Sequence, residues 1–226
     1  MTSFADHWRG RARSLATFGD SITAGSSAST PDHRWANLLA ADLGATLHNK
    51  GLGGTVMQRS LMHTGLPRPG NGRDRYEADL LGGDRADVIA ILYGFNDARY
   101  VLAPDTFGHD NFVRDYHEVL AGILAAGYGP DAIVIGSPPH IPDIGFTVGT
   151  EGFAGQSREA FQHYVRTVEF IARDAGCYYA AVNERMGAQG ADAFLSPDHV
   201  HPNDAGHATI AEAFAGAVLS THRFVK

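Results

Sequence analysis

The chain has 226 residues, of which 44% are hydrophobic and 19% charged, as is typical of one globular domain, here expected to span residues 1–226. A formal net charge of -7, without any run of five basic residues, argues against nucleic acid as a partner. No stretch approaches the roughly 18 apolar residues of a membrane span, and the polar N-terminus lacks the hydrophobic segment of a signal peptide. We therefore expect no membrane span and a cytoplasmic protein.

Short apolar runs alternate with amphipathic stretches along the chain. The runs predict strands at residues 14–18, 46–48, 88–93, 132–135 and 178–182. Apolar residues at helical spacing predict helices over residues 35–43, 113–124 and 161–172. A last helix is predicted to begin near Asp204, to end before Ser220, and to bury Ile210, Ala211, Phe214 and Val218.

The alternation of strand and helix favours a parallel sheet with helices on both faces. In such folds the ligands bind beyond the carboxyl ends of the strands. Two long segments rich in Gly and Pro, residues 64–75 and 138–156, are expected to border a site there.

The sequence GDSIT at residues 19–23 directly follows the first predicted strand and places the Ser21 hydroxyl at a strand-to-helix turn. Backbone N–H groups and the positive end of a helix converge at such a turn, which suits a nucleophile. Taken alone, a serine here is more often a helix N-cap. A nucleophilic serine also needs a general base, normally a histidine oriented by a carboxylate.

The segment SPDHVHPN at residues 196–203 supplies both partners, because Asp198 and His201 lie three residues apart and two prolines stiffen the loop. In the predicted triad, His201 takes the Ser21 proton during attack and returns it to the leaving alcohol. Asp198 fixes the histidine tautomer and stabilises the imidazolium.

A metal site is the alternative interpretation of the same segment. His199, His201 and His207, together with Asp198, are residue types that bind Zn²⁺. Since the triad already uses two of these four side chains, we expect no metal and no cofactor.

A tetrahedral intermediate needs hydrogen-bond donors for its oxyanion. Two segments after predicted strands offer them: NKGLGGT at residues 49–55, whose glycines permit close backbone approach, and GFND at residues 94–97. The donor in GFND is the Asn96 side-chain amide, and the Ser21 N–H makes a third donor. Asp97 is predicted to be structural, with its carboxylate bonding nearby backbone amides.

Four blocks, GDSIT, N-x-G-x-x-G, G-x-N-D and D-x-x-H, occur in this order across nearly the whole chain and resemble those of the SGNH, or GDSL, hydrolases. The resemblance implies that Ser21 is the nucleophile, with Asp198 as the orienting carboxylate and His201 as the base. It also implies an oxyanion hole formed by Ser21, Gly54 and Asn96.

The fold that the resemblance implies is a flavodoxin-like three-layer α/β/α sandwich with a five-stranded parallel sheet, ordered 2-1-3-4-5. Gly54 is preferred to the adjacent Gly53 as the donor because of its spacing from Asn49. The chain departs from the family pattern at Thr55, where many relatives carry an acidic residue, and at Phe95, where a small residue is common. The Phe95 ring is expected to narrow the acyl site.

The function that the resemblance implies is hydrolysis of a small-molecule ester with a short acyl group, acetylated carbohydrate being one candidate. Acyl transfer, lysophospholipase and thioesterase activity remain open, because one acyl-enzyme serves them all. A non-enzymatic alternative is a flavodoxin-like binder of phosphate or flavin at residues 21–27, and another is an inactive sugar-recognition domain. A homo-oligomer is also left open, since family members often associate.

Two remaining groups of side chains are interpreted as structural. Cys177, the only cysteine, lies in the apolar segment GCYYAAV at residues 176–182, at the start of a predicted strand, and is expected to be a buried apolar residue rather than a nucleophile. Four scattered arginines near the 64–75 segment are expected to be solvated charges rather than a site for an anionic substrate: Arg59, Arg68, Arg73 and Arg75.

Overall fold

Strands and helices alternate along the computed structural model, which describes residues 2–62, 64–83, 85–99, 108–147, 157–188 and 190–219. The strands are β1 (Ser14–Gly19), β2 (Thr46–Gly51), β3 (Val88–Leu92), β4 (Ile133–Gly136), β5 (Tyr178–Ala180) and β6 (Val218–Leu219). The α-helices are α1 (Phe4–Trp8), α2 (Ser21–Ala24), α3 (Trp35–Leu43), α4 (Gly72–Leu80), α5 (Phe95–Arg99), α6 (His109–Ala125), α7 (Arg158–Asp174), α8 (Val182–Ala188) and α9 (Asp204–Ala215). Short 3-10 turns cover Pro31–His33, Pro130–Ala132, Asp143–Thr147 and Ala191–Phe194.

The strands that the structure describes form one six-stranded sheet in the order β2-β1-β3-β4-β5-β6. Strands β1 to β5 are parallel, and β6 pairs antiparallel with β5. The predicted parallel sheet and its 2-1-3-4-5 order are confirmed for β1 to β5, but the prediction of five strands omits the antiparallel β6.

Val218 was predicted on the buried face of the last helix, and this prediction is wrong. Helix α9 ends at Ala215, and Val218 lies in β6 with 40% of its surface exposed. At the end of α9 the Gly216 N–H donates to Glu212 O and the Ala217 N–H donates to Phe214 O, after which Val218 pairs with Tyr179 on β5.

Helices cover both faces of the sheet, which gives the predicted three layers. One group packs α1, α3 and α9 together, and the other packs α4, α6 and α7 together. Trp35 of α3 stacks on Phe214 of α9 with ring centroids 4.6 Å apart. Because both faces are covered, β3 reads as a continuous apolar run and every residue in it is buried. Among the described residues, no helix is long and apolar enough to cross a membrane.

The carboxyl ends of β1, β2 and β3 lie side by side, with Gly19 opposite Gly51 on one neighbour and Leu92 on the other. Both glycines are required by close packing. A Cβ on Gly19 would overlap the Thr23 hydroxyl and the Leu92 carbonyl, and one on Gly51 would overlap the backbone of Ala24. The three segments that follow these strands are therefore neighbours at one edge of the sheet, as predicted.

Candidate active site

Ser21 is the first residue of α2, directly after β1. Its interpretation as a helix N-cap is wrong, because Asp20 occupies that position and its carboxylate accepts a hydrogen bond from Ile22 N–H at 2.9 Å. Burial raises the pKa of Asp20 to about 7, although the bond from Ile22 and the nearby Arg75 act in the opposite direction. An acidic side chain on this amide disfavours a phosphate at the same helix end.

The structure brings Ser21, His201 and Asp198 into one hydrogen-bonded line. His201 Nε2 lies 2.9 Å from Ser21 Oγ, and His201 Nδ1 lies 2.6 Å from Asp198 Oδ2. The two contacts use opposite nitrogens of the ring, so a proton taken from Ser21 leaves an imidazolium that faces a carboxylate. This is the geometry that general-base activation of a serine requires.

The Asp198 carboxylate is held by several donors besides His201 Nδ1. Its Oδ1 accepts from the backbone N–H groups of Val200 and His201, both at 2.9 Å, and from Ser196 Oγ at 2.7 Å. Partial burial alone would raise its pKa, but these hydrogen bonds, first among them that of His201, hold the pKa of Asp198 well below its usual range. The group is thus ionised throughout the neutral pH range.

The loop that carries Asp198 and His201 is closed on itself. Ser196 N–H donates to His201 O at 2.8 Å, and His199 between them has a φ of 60°, in the left-handed region. Asn203 then caps α9 by accepting from Gly206 N–H at 3.0 Å. The start of a packed helix therefore fixes the position of the histidine.

The predicted oxyanion donors follow β2 and β3. A Cβ on Gly53 would lie 3.9 Å from Ser21 Cβ, and Gly54 has a φ of 73°, so the two glycines form a turn beside Ser21. Asn96 is buried in the first turn of α5, and its Nδ2 donates to Thr55 O at 2.8 Å. An amide NH₂ has two donors, so this bond uses one of the two.

The two residues that flank Asn96 are built into the core. The prediction that Asp97 is structural is confirmed: its carboxylate accepts from the N–H groups of Met57 and Gln58 at 3.0–3.1 Å. Burial raises the pKa of Asp97 to about 6, against the effect of these bonds. The Phe95 ring is also buried and packs edge-on against Phe161 with centroids 6.3 Å apart.

His207, on α9 after the loop that carries Asp198 and His201, has a separate environment. Trp35 N–H donates to the buried His207 Nδ1 at 3.4 Å, and His207 Nε2 donates to Ser26 O at 3.1 Å. Burial lowers the pKa of His207, so its ring is a neutral bridge between α9 and the segment after α2. No group of three or more His, Cys, Asp or Glu side chains suited to a metal ion occurs in the part of the chain that the structure describes.

A second cluster of Ser, His and Asp, absent from the sequence predictions, lies at the surface. His33 Nδ1 is 2.8 Å from Ser29 Oγ and 2.9 Å from Asp204 Oδ2, and Ser29 N–H and Oγ both donate to the Asp204 carboxylate. Because both partners share one ring nitrogen, no proton can pass across this imidazole. The cluster ties the segment after α2 to the start of α9.

The prediction that the four arginines are solvated charges is wrong for Arg68 and Arg75. Arg68 is 6% exposed, and only 13% of the Arg75 side chain is exposed because it lies under the strand ends. Arg59 and Arg73 are paired with Asp74 and Glu118, respectively. The distribution of charges in the sequence could not distinguish the buried arginines from the others, since burial of Arg75 depends on where α4 packs.

A serine, a histidine and a carboxylate aligned at the carboxyl edge of a parallel sheet form the arrangement that serine-nucleophile hydrolases use on several folds. The family model described as the GDSL-like Lipase/Acylhydrolase family matches residues 17–209, and the chain belongs to this family. The resemblance predicted from the four sequence blocks is thereby confirmed.

Three similar proteins extend this finding. A rhamnogalacturonan acetylesterase from Emericella nidulans is 26% identical over 234 residues, which cover 92% of this chain and 85% of the relative. The structure of a lipase/acylhydrolase from Enterococcus faecalis matches with a TM-score of 0.67 at 19% identity, over 92% of this chain and 98% of that one. A catalytic mutant of an acetylxylan esterase from Geobacillus stearothermophilus matches with a TM-score of 0.60 at 22% identity, over 89% and 92%. The two structures support the same fold.

Proposed function

We propose that the chain is a serine ester hydrolase that removes short acyl groups, acetyl above all, from an acetylated carbohydrate. The observation that carries the proposal is the line of hydrogen bonds from Ser21 Oγ through both nitrogens of His201 to Asp198, with contacts of 2.9 and 2.6 Å. Family membership supports a hydrolase. The acetylesterases among the similar proteins support acetyl as the acyl group and a polysaccharide as its carrier.

In the proposed reaction, Ser21 Oγ attacks the acyl carbon while its proton moves to His201 Nε2. The oxyanion that forms is stabilised by Ser21 N–H, by Gly54 N–H and by the Asn96 amide. His201 then protonates the departing sugar oxygen, the carbon–oxygen bond to the sugar breaks, and an acyl-enzyme remains. A water molecule repeats the sequence with His201 as base, which releases acetate and restores Ser21.

The proposal is tested with two sets of substrates. Hydrolysis of p-nitrophenyl esters from acetyl to palmitoyl is measured as p-nitrophenol release, and hydrolysis of acetylated xylan and acetylated rhamnogalacturonan is measured as acetate release. Ser21→Ala is compared with wild type at matched folded concentration. Ser29→Ala is the matched control, because Ser29 also contacts a histidine and an aspartate. In that cluster, however, Ser29 and Asp204 both lie at the same ring nitrogen of His33.

We expect turnover that favours acetyl, is lost in Ser21→Ala and is retained in Ser29→Ala. Preference for long acyl chains would instead support the lysophospholipase or thioesterase alternative. An acyl-enzyme on Ser21 that reacts faster with an added alcohol than with water would support acyl transfer. Turnover that survives in Ser21→Ala would overturn the proposal.

A further inference from the structure

Arg75, on α4, joins the carboxyl ends of two strands of the sheet. Its Nη2 donates to Gly19 O at 2.8 Å, at the end of β1, and its Nη1 donates to Lys50 O at 2.8 Å, near the end of β2. The guanidinium lies 4.2 Å from the centre of the Phe18 ring and is paired with Asp79 on its own helix. One planar group therefore fixes the strand end that leads into Ser21 relative to its neighbour.

The same guanidinium reaches the segment after β2 through Tyr93. Arg75 Nη2 donates to Tyr93 Oη at 2.7 Å, which lies 3.1 Å from Thr55 Oγ1, and Thr55 Oγ1 donates to Leu52 O at 2.7 Å. Since the Thr55 proton is used on Leu52, Tyr93 must donate to Thr55. The donors run in one direction from Arg75 to the turn that contains Gly53 and Gly54.

The third oxyanion segment is attached to the same residue. Thr55 O accepts from Asn96 Nδ2 at 2.8 Å, so Thr55 closes the glycine turn with its side chain and holds the Asn96 amide with its backbone. The three residues linked by these hydrogen bonds, Tyr93, Thr55 and Asn96, are all buried. Burial raises the pKa of Tyr93 to about 12, against the effect of Arg75, so its phenol stays protonated as a donor.

We infer that Arg75 is a positioning residue that sets the spacing of the three oxyanion donors, Ser21 N–H, Gly54 N–H and the Asn96 amide. The inference rests on the proposed esterase function. It requires arginine specifically, because a planar guanidinium donates in several fixed directions at once and an ammonium does not. Small displacements of groups aimed at a transition state are costly: about 1 Å corresponds to a rate loss on the order of 10²-fold.

The test measures kcat and KM for p-nitrophenyl acetate, together with the Tm, in Arg75→Lys, Arg75→Met and Tyr93→Phe. Arg73→Met is the matched control, because Arg73 lies on the same helix and pairs with Glu118 at the surface. We expect Arg75→Lys to lower kcat by about tenfold to a hundredfold with KM within about threefold of wild type. Tyr93→Phe lowers kcat less, since the bonds to Gly19 and Lys50 remain, and Arg73→Met leaves kcat unchanged.

The double variant Arg75→Lys/Tyr93→Phe tests whether the two residues act through one series of contacts or independently of each other. If Arg75 acts through Tyr93, the double variant loses less kcat than the product of the single losses. Should Arg75→Met not fold, Arg75→Lys and Tyr93→Phe still carry the test.

A kcat for Arg75→Lys equal to that of wild type, or a loss confined to KM, would overturn the inference while Ser21-dependent turnover keeps the proposed function intact. Absence of Ser21-dependent turnover in the wild type would overturn both.

Discussion

His201 Nε2 lies 2.9 Å from Ser21 Oγ, although the two residues are 180 positions apart in the chain. The contact joins the end of the first strand to the loop before the last helix. A second link between the same regions, from Ser29 to the Asp204 carboxylate, lies at the surface. The proposed nucleophile and base therefore depend on packing between α2, its following segment and α9, and not on a local motif.

Asp198→Asn tests the role of the carboxylate. An amide at this position presents a donor or a weaker acceptor to His201 Nδ1 and cannot stabilise the imidazolium, so we expect kcat to fall by about 10²- to 10⁴-fold. The measurement is kcat for p-nitrophenyl acetate between pH 6 and 9, with circular dichroism as the check on folding.

The matched control is Asp204→Asn. Asp204 also contacts a histidine Nδ1, that of His33 at 2.9 Å, but it has no connection to Ser21 through that ring. This ion pair with His33 is exposed and screened by solvent, so we expect the variant to keep kcat within about threefold of wild type. Equal losses in the two variants would show that the effect is one of loop stability.

Asn96→Ala tests the side-chain oxyanion donor. Removing one such donor costs about 10²- to 10³-fold in kcat with little change in KM, because the interaction forms in the transition state. Asn183→Ala is the control, since Asn183 is also buried and its Nδ2 donates to a backbone carbonyl, that of Pro138, at 3.1 Å. The control lowers the Tm and spares kcat; if Asn96→Ala behaves in the same way, Asn96 is purely structural.

The sheet order and the alignment of the site segments could be predicted because they follow local patterns and strand geometry. Apolar runs mark β1, β3 and β4, and parallel strands present their carboxyl ends at one edge, which places the segments around Ser21 and Asn96 together. Strand β6 could not be predicted, because two residues carry no periodicity and the preceding helix pattern extends naturally through Val218.

Arg75 and Asp20 show what a sequence pattern does not contain. An arginine on a helix looks like a surface charge until the packing of α4 places its guanidinium at the strand ends. Asp20 follows the strand and precedes a serine, and both residue types cap helices, so the pattern alone could not decide which one caps α2. For Arg75 the deciding fact is a tertiary contact, and for Asp20 it is the local hydrogen bond from Ile22 N–H.

Cys177 is expected to be unreactive in the native protein. It is fully buried beside β5, and burial raises the pKa of its thiol to about 12, so the thiolate needed for reaction is scarce near neutral pH. Ellman's reagent should detect no thiol in the folded protein and one in guanidinium chloride, and esterase activity should survive the treatment. Inhibition that parallels thiol modification would contradict this placement.

Asp20 is expected to make stability depend on pH. Because burial raises the pKa of Asp20 to about 7, the folded state binds this proton more tightly than the unfolded chain, whose aspartates titrate near pH 4. Its contribution to stability is therefore fully present below about pH 4 and is lost as the pH rises through 7. Asp20→Asn cannot ionise, and its side-chain oxygen can still accept from Ile22 N–H.

Relative to wild type, Asp20→Asn should therefore gain stability between pH 5 and pH 7, with little further change above pH 7. Each pH unit in this interval changes the difference in the free energy of unfolding by up to about 1.4 kcal/mol. Since 1 kcal/mol moves the Tm of a domain of this size by about 2–4 °C, the difference in Tm should change by several degrees. Asp110→Asn, at an exposed carboxylate on α6, is the control and should follow the wild-type curve at every pH. Parallel curves for Asp20→Asn and wild type would contradict this prediction. They would mean that Asp20 stays ionised throughout, because Arg75 lowers its pKa more than burial raises it.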